Sequence, residues 1–376
     1  MTASPEALDR YLGAFQEPVG WLAHGSYGPP STDVVELVSR TVLAASLGAD
    51  AATLHAEDDR ARAAVSRLSG FPLEGVSLVP STSHGLHAVA FGVPGGEVVV
   101  SPDEFPANAY AWWRAEEAGV LSVRPLVRRP GEGPVVVTPE RVAEALTPAT
   151  TAVAVSAVDF RTGHRADLAG LRDVVGDRLL VVDGIQGFGV VDQDWTHADA
   201  LVVGGQKWLR AGWGTGFLAL SARGLDRLRP LLGGWTGVEG AGRYDGVPHE
   251  PLPDARRFSV TNGAPWASGA LATALELVED VGVATVQGHV EHRVADLVAR
   301  LDEAGRTVLS PRDPRLRAGI VVVGVPDGRA PELHARLAEA QVTTTVHGTD
   351  RLRLSVHATT TPAALDAALT ILGGTP

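Results

Sequence analysis

The sequence predicts an α/β protein in which a large domain, built on a mainly parallel sheet, precedes a smaller α+β domain at the C-terminus. Over the first two thirds of the 376 residues, apolar strand patterns alternate with helical patterns, the order that builds a parallel sheet with covering helices. The alternation of strand and helix patterns ends near residue 263, where a long helical segment begins. Hydrophobic residues make up 45% of the chain, enough for a sizeable core.

Hydrophobic periodicity places the elements in chain order. Residues 33–69 are expected to form one or two helices, and the Ser and Thr residues at 81–83 mark the start of the next helix. Further elements of the large domain are expected as strands at 97–100, 123–127, 151–157, 179–182, 200–203 and 217–221, and as helices at 109–117, 139–146 and 168–175. The smaller domain is expected to contain helical residues at 267–304, strands at 318–325, 342–346 and 351–356, and helices at 330–340 and from 362.

These elements divide the chain into three predicted regions. Residues 1–20 are expected to pack with the small domain, residues 21–262 to form the large domain, and residues 263–376 to form the small one.

Composition excludes several classes of function. The net charge of −12 argues against a nucleic-acid partner and against an anionic membrane, since both need clustered positive charge. No apolar run approaches the ~20 residues needed to span a bilayer, and no signal pattern opens the chain, so a cytoplasmic location is expected. Cysteine is absent, which excludes disulfides, thiolate metal sites and an enzyme thiol. No metal site is predicted.

Two residues at adjacent strand ends suggest a cofactor. Asp183 ends an apolar strand, and Lys207 follows the next strand after two glycines. An acid beside a ring nitrogen and a lysine beside an aldehyde are what pyridoxal phosphate needs, so Lys207 is the predicted Schiff-base residue and base. Taken alone, Asp183 is better explained as a strand-end residue that caps the following turn, and Lys207 is what favours the cofactor. Gln186 is placed to reach the phenolic oxygen of the same ring.

The surrounding motifs resemble the class V aminotransferase family of pyridoxal-phosphate enzymes. The resemblance rests on Asp-Gly-Ile-Gln at 183–186, Gly-Gln-Lys-Trp at 205–208 and Gly-Trp-Gly-Thr-Gly-Phe at 212–217. The family includes cysteine desulfurases, kynureninase, isopenicillin N epimerase-like proteins and carbon–sulfur lyases. It implies fold type I and a homodimer with active sites between the subunits.

The resemblance also implies how the cofactor is held. Thr82 and Ser83, at a helix N-terminus, are the phosphate candidates, although a plain helix cap is the alternative. Gln206 stands where a histidine is usual and could replace one phosphate contact, while Thr261 is expected to reach the phosphate of the neighbouring subunit. Phe105 is expected to stack on the cofactor ring, which it can orient without moving protons. Core packing is the alternative for Phe105.

Three residues are candidates for substrate binding. Arg353, in Leu-Arg-Leu-Ser at 352–355, is similar to the family arginine that clamps a substrate carboxylate, with a solvent-facing role as the alternative. Arg161 and the nearby Asp159 could bind the substrate, or they could lie in an exposed loop. His24 resembles part of the N-terminal pocket loop of the epimerase-like branch, although a lone histidine is more often structural.

The reaction is less determined than the cofactor. Because a desulfurase passes sulfur to its own thiol, the missing cysteine excludes that activity. Elimination from the β carbon, transamination, reprotonation and decarboxylation remain open. We expect cleavage of the carbon–sulfur bond of a cysteine conjugate, ahead of an aminotransferase, and a catalytically silent binding protein is the alternative of another class.

Overall fold

The computed structural model describes residues 5–373 and forms a three-layer α/β body with a second, smaller sheet. The large sheet has seven strands: β1 (Val76–Leu78), β2 (Glu97–Val100), β3 (Ser122–Pro125), β4 (Thr150–Ser156), β5 (Leu179–Asp183), β6 (Ala200–Gly204) and β7 (Gly216–Leu220). Their spatial order is β1-β7-β6-β5-β4-β2-β3. β7 runs antiparallel to both of its neighbours, and all other neighbours are parallel. The prediction of a mainly parallel sheet is confirmed.

Burial of both sheet faces explains why the central strands are continuously apolar. In β5, Leu180 and Val182 belong to one hydrophobic cluster, whereas Leu179 and Val181 belong to a second cluster. Alternating residues of a strand point to opposite faces, so each cluster lies on its own side of the sheet. The covering and flanking helices are α1 (Pro5–Gly13), α2 (Thr32–Ser46), α3 (Ala51–Ser69), α4 (Thr82–Gly92), α5 (Pro106–Glu117), α6 (Pro139–Ala145), α7 (Leu168–Val175) and α8 (Ala222–Arg227).

The smaller sheet is antiparallel, with the order β10-β11-β9-β8. Its strands and helices are β8 (Thr307–Val308), β9 (Ile320–Gly324), β10 (Thr345–His347), β11 (Arg351–Ser355), α9 (Pro265–Val281), α10 (Val283–Glu303), α11 (Ala330–Glu339) and α12 (Pro362–Gly373). The expected helical run at 267–304 is divided at Gly282, whose φ of +77° ends α9 and favours glycine. The mostly buried α9 packs on α2 and α3.

The segment before α2 pairs with the smaller sheet and also bonds just beyond the end of β6, where Gly28 donates its N–H to the carbonyl of Gln206 at 2.9 Å. Leu22 donates its backbone N–H to the carbonyl of Thr343, and Ser355 donates to the carbonyl of Leu22. Residues 1–4 of the predicted N-terminal segment and residues 374–376 lie outside the described part of the chain, and the domain boundaries stay predictions. The short elements α1, β1, α8 and β8 were not expected from the sequence. Between residues 5 and 373, no helix is long and apolar enough to cross a membrane.

Candidate active site

The sheet brings Asp183 and Lys207 to the same edge. β5 and β6 are parallel neighbours, with Asp183 opposite Val202, and Lys207 follows three residues after the end of β6. Ligands of open α/β sheets bind at the carboxyl ends of such strands. Both side chains are nearly buried, with exposures of 2% for Asp183 and 7% for Lys207. A charged pair in a site of low dielectric is therefore available to a bound molecule.

Burial changes the proton affinity of both groups. Burial raises the pKa of Asp183 to about 6, against the opposing effects of a 3.0 Å hydrogen bond from the Ile185 N–H and of the Lys207 charge. Burial lowers the pKa of Lys207 to about 8, although the charge of Asp183 acts in the other direction. The amine of Lys207 is therefore partly neutral at physiological pH, as a nucleophile or base must be.

An aromatic ring faces the lysine. Nζ of Lys207 lies 4.9 Å from the centroid of the Phe105 ring, and Phe105 is 38% exposed. The ring packs edge-on against Phe160 at a centroid distance of 5.1 Å. Phe105 is the residue before Pro106, the first residue of α5, so the turn into this helix sets the position of the ring. Its partial exposure leaves a face available for stacking.

The N-terminus of α4 has the properties of an anion site. Ser81 caps the helix by accepting a hydrogen bond from the His84 N–H at 3.2 Å. Thr82 is 3% exposed, yet its Oγ1 has no hydrogen-bond partner within residues 5–373. A buried hydroxyl is normally paired, so this atom is suited to a ligand oxygen. Ser83, the second predicted phosphate contact, is exposed.

A glycine keeps space open beside Thr82. A Cβ atom on Gly204 would lie 2.7 Å from Oγ1 of Thr82 and 2.6 Å from Oε1 of Gln206, closer than real contacts allow. A side chain at position 204 would therefore have to displace these two polar groups. Together with the unpaired hydroxyl and the helix N-terminus, this cradle fits a phosphate group.

Gln186 is already held at both ends of its amide. Its Oε1 accepts a hydrogen bond from the indole N–H of Trp208 at 2.7 Å, and its Nε2 donates to the carbonyl of Gly25 at 2.9 Å. Trp208 only donates and the carbonyl only accepts, so these partners fix the orientation of the amide. One N–H of Gln186 remains for the predicted contact with a ring oxygen.

Arg353 is a buried guanidinium without an acid partner. It is 3% exposed and donates to the carbonyl of Phe160 at 3.2 Å, to Oγ of Ser26 at 2.6 Å and to Oγ1 of Thr345 at 3.3 Å. Its Nε is unpaired, and no carboxylate among residues 5–373 forms an ion pair with it. Burial lowers its pKa to about 10. A buried cation of this kind is suited to bind an incoming carboxylate.

The other predicted substrate residues are placed differently. Arg161 donates from Nη1 to Oδ1 of Asp103 at 2.9 Å, and Asp159 accepts hydrogen bonds from its own turn. His24 is fully buried, binds the carbonyl of Ser355 at 3.1 Å and stacks on His357 at a centroid distance of 4.9 Å. The surroundings of His24 fit the structural alternative stated for it.

Thr261 lies apart from Lys207 in the single chain. It is exposed, accepts a hydrogen bond from the Trp235 indole at 3.3 Å, and lines a 620 Å³ cavity that also contains His84 and Trp213. Its predicted contact with a neighbouring subunit therefore requires a second copy of the chain.

Two features of the site were missed in reading the sequence. Glu104, beside Phe105, is buried and accepts hydrogen bonds from the N–H and hydroxyl of Ser156, the residue opposite Asp183 in the sheet. Burial raises the pKa of Glu104 to about 7, and the charges of Asp183 and Asp159 add to the effect.

The second feature is visible in the amino-acid composition. Of the 32 Lys and Arg residues, Lys207 is the only lysine.

The fold is that of pyridoxal-phosphate-dependent enzymes of fold type I. Within this class, the chain belongs to the aminotransferase class-V family, whose sequence model matches residues 39–363. An uncharacterized aminotransferase of Bacillus subtilis, YcbU, is 29% identical over 289 residues, spanning 75% of this chain and 74% of the relative. Isopenicillin N epimerase of Streptomyces clavuligerus is 29% identical over 305 residues, which is 74% of each chain.

Solved structures agree on the fold. The apo structure of a cysteine desulfurase from Thermococcus onnurineus NA1 superimposes with a TM-score of 0.85, covering 99% of this chain and 98% of that one. The identity of 19% restricts this likeness to the fold. The family resemblance and the pyridoxal-phosphate cofactor predicted from the sequence are confirmed.

Proposed function

We propose that the enzyme acts at the α carbon of an amino acid and cleaves the carbon–sulfur bond of a cysteine conjugate by elimination. The observation that carries the proposal is the pairing of one buried amine, Lys207, with the ring of Phe105. Lys207 can take up and return protons near neutral pH, whereas Phe105 cannot. Because Glu104, the other group of the site with a pKa near neutrality, is bonded to Ser156, reactions in which Lys207 moves the protons are favoured.

Each residue of the site has a proposed role. Thr82 and Gln206 would hold the cofactor phosphate, and Asp183 would hold a proton on the ring nitrogen. Lys207 would bind the cofactor aldehyde and remove the α proton of the substrate. When bound, pyridoxal phosphate accepts the electron pair released at that carbon. Arg353 would bind the substrate carboxylate, since it is a buried cation that pairs with no acid in the described part of the chain.

A sulfur leaving group suits this arrangement. Thiols have an ordinary pKa near 8.5, so a thiolate leaves without help from a strong acid. Lys207 removes the α proton, the bond between the β carbon and sulfur breaks, and its electron pair leaves on sulfur, which then takes up a proton. With one water consumed, the products are a thiol, pyruvate and ammonia. Epimerisation would instead need a proton donor on the opposite face of the α carbon.

An aminotransferase is the second candidate. Lys207 could return the α proton to a carbon of the cofactor instead of to the substrate. This reaction too needs only one group that moves protons. The relatedness to an uncharacterized aminotransferase of B. subtilis supports it.

Product analysis separates these functions. We would incubate the purified protein and pyridoxal phosphate with S-alkyl and S-aryl cysteines and measure thiol and pyruvate, with and without an added 2-oxo acid. Equal amounts of thiol and pyruvate without the oxo acid are expected. Exchange of amino groups alone would favour the aminotransferase, and inversion of configuration alone would favour epimerisation. Lys207→Arg keeps the charge and should abolish turnover.

We also propose that the active enzyme is a homodimer in which Thr261 contacts the phosphate of the second subunit. The exposure of Thr261 supports this, since its hydroxyl bonds to Trp235 and faces the cavity that also contains His84 and Trp213. Light scattering should give twice the chain mass, and Thr261→Ala should weaken cofactor binding. A monomer with full cofactor affinity would overturn the proposal.

A further inference from the structure

A second cavity, of 620 Å³, lies beside the candidate active site. We call it the arginine pocket and define it by Arg128, Arg161, His347 and Arg351, with Asp103 and Phe160 between them. Phe160 connects it to the reaction centre. The Phe160 carbonyl accepts a hydrogen bond from Arg353, and its ring contacts Phe105 on one side and His347 on the other, at centroid distances of 5.1 and 5.6 Å.

Three arginines and three acids line the pocket, and two further arginines, Arg141 and Arg353, bond to its lining residues Glu132 and Phe160. Oδ1 of Asp103 binds both Arg128 at 2.5 Å and Arg161 at 2.9 Å, so one carboxylate serves two guanidinium groups. Arg351 has only the exposed Asp350, at 3.6 Å. The third acid of the lining, Glu132, is bound by Arg141, and no carboxylate of the described residues pairs with Arg353.

The pKa of His347 reflects the nearby arginine charges. Burial lowers its pKa to about 4, and the charges of Arg353, Arg161 and Arg351 add to the effect. The imidazole is therefore neutral, and it can donate a hydrogen bond to a ligand without adding charge. When Arg141 and Arg353 are counted with the lining, five guanidinium groups lie among three acids, in a chain whose net charge is −12.

Strand geometry places two of these cations in a row. Arg351 and Arg353 are two residues apart in β11, so their side chains leave the same face of the strand about 7 Å apart. Their partners in β10 are His347 and Thr345, in the same order. A molecule whose carboxylate lies on Arg353 therefore meets a second cationic position after a short reach.

We propose that the arginine pocket binds a carboxylate at the far end of the substrate's side chain. The substrate class is then an amino acid with a distal acid group, such as a cysteine conjugate whose sulfur substituent ends in a carboxylate. Arg351 and Arg161 are the specificity-determining residues. The inference rests on the proposed function in one respect, namely that the α-carboxylate lies on Arg353.

Unreactive dicarboxylates test the pocket without turnover. Calorimetry on the holoenzyme would compare the linear α,ω-dicarboxylates from succinate to suberate with the half-amide of each acid. Affinity should peak where the two carboxylates are separated by about 7 Å, and the matching half-amide should bind about tenfold more weakly. Arg351→Gln and Arg161→Gln should each lower the affinity for the diacid about tenfold and leave that for the half-amide within about twofold.

The control variant is Arg315→Gln, which removes an exposed arginine paired only with Asp313. Diacid affinity should not change in this variant. Equal affinity for diacid and half-amide, in a protein that still turns over amino acids, would overturn the pocket and leave the proposed function standing. If amino acids are neither bound nor turned over, the proposed function falls and the pocket assignment falls with it.

Discussion

Lys207 and Phe105 face each other across the ends of two separate segments, with Nζ 4.9 Å from the ring centroid. The lysine follows β6, and the phenylalanine precedes α5, so neither position depends on the local conformation of the other. A flat ligand that reacts with the amine must lie near the ring. This relationship supports a stacking role for Phe105.

Replacement of Phe105 by Ala should weaken cofactor binding about tenfold, because a stacked aromatic contributes roughly 0.5–1.5 kcal/mol beyond the area it buries. Phe105→Tyr keeps a ring and should stay close to the wild type. Titration of the apo protein with pyridoxal phosphate, followed by absorbance, measures the affinity. Trp113→Ala is the matched control, since Trp113 lies on α5 and is also 38% exposed. Equal losses in both alanine variants would contradict the stacking role.

Replacement of Thr82 by Val should have opposite effects on the apo protein and on cofactor binding. Oγ1 of Thr82 is buried and unpaired, so its removal should stabilise the apo protein by about 1 kcal/mol. The variant should bind pyridoxal phosphate about tenfold more weakly, because a phosphate contact is lost. Denaturant unfolding and cofactor titration give the two quantities.

Thr150→Val provides the contrast for this prediction. Thr150 is also buried, but its hydroxyl donates to Glu97 at 3.1 Å and accepts from the Thr147 N–H at 2.9 Å. The change should destabilise the apo protein, because those partners lose their hydrogen bonds. A destabilised Thr82→Val apo protein would mean that the Thr82 hydroxyl already has a partner.

Much of the fold could be predicted because each central strand is a short apolar run followed by glycine or a polar residue. A strand that is buried on both faces needs apolar side chains at successive positions. The local sequences of β4, β5 and β6 show this pattern. β1 was missed because it has three residues and pairs only with β7, far away in the chain.

The site was predictable only in part, because some of its contacts join segments that are distant in the sequence. Asp183 and Lys207 end apolar strands, which a single sequence shows. The contacts of Arg353 come from Ser26, Phe160 and Thr345, in three other segments, and no local pattern indicates that these will meet. The burial of His24 against His357 likewise depends on tertiary packing.

The pH dependence of apo-protein stability should report on Asp183. Its pKa is raised from 3.8 to about 6, so the fold favours the protonated form. That contribution is complete below pH 3.8 and is lost as the pH rises through 6. Asp183→Asn removes this ionisation, so the variant should not lose that stability. Between pH 4 and 7, its free energy of unfolding should therefore rise relative to that of the wild type by on the order of 3 kcal/mol.

Asp173→Asn is the control for this experiment, because Asp173 is exposed on α7. It should not change the slope of stability against pH. Parallel curves for wild type and Asp183→Asn would show that Asp183 does not carry a raised pKa.

The single lysine allows the reactivity of Lys207 to be measured directly. Burial lowers its pKa to about 8, so the neutral, nucleophilic fraction should rise with pH through that value rather than through the ordinary 10.4. Reductive methylation of the apo protein with formaldehyde, at a series of pH values and with peptide mass mapping, follows this side chain apart from the terminal amine. The two neighbouring charges should move the midpoint in opposite directions. Asp183→Asn removes a negative charge and should lower it, whereas Arg353→Gln removes a positive charge and should raise it. A midpoint near the ordinary value, unmoved by either variant, would show that Lys207 is solvated and separate from Asp183 and Arg353, and the proposed site would then lose its base.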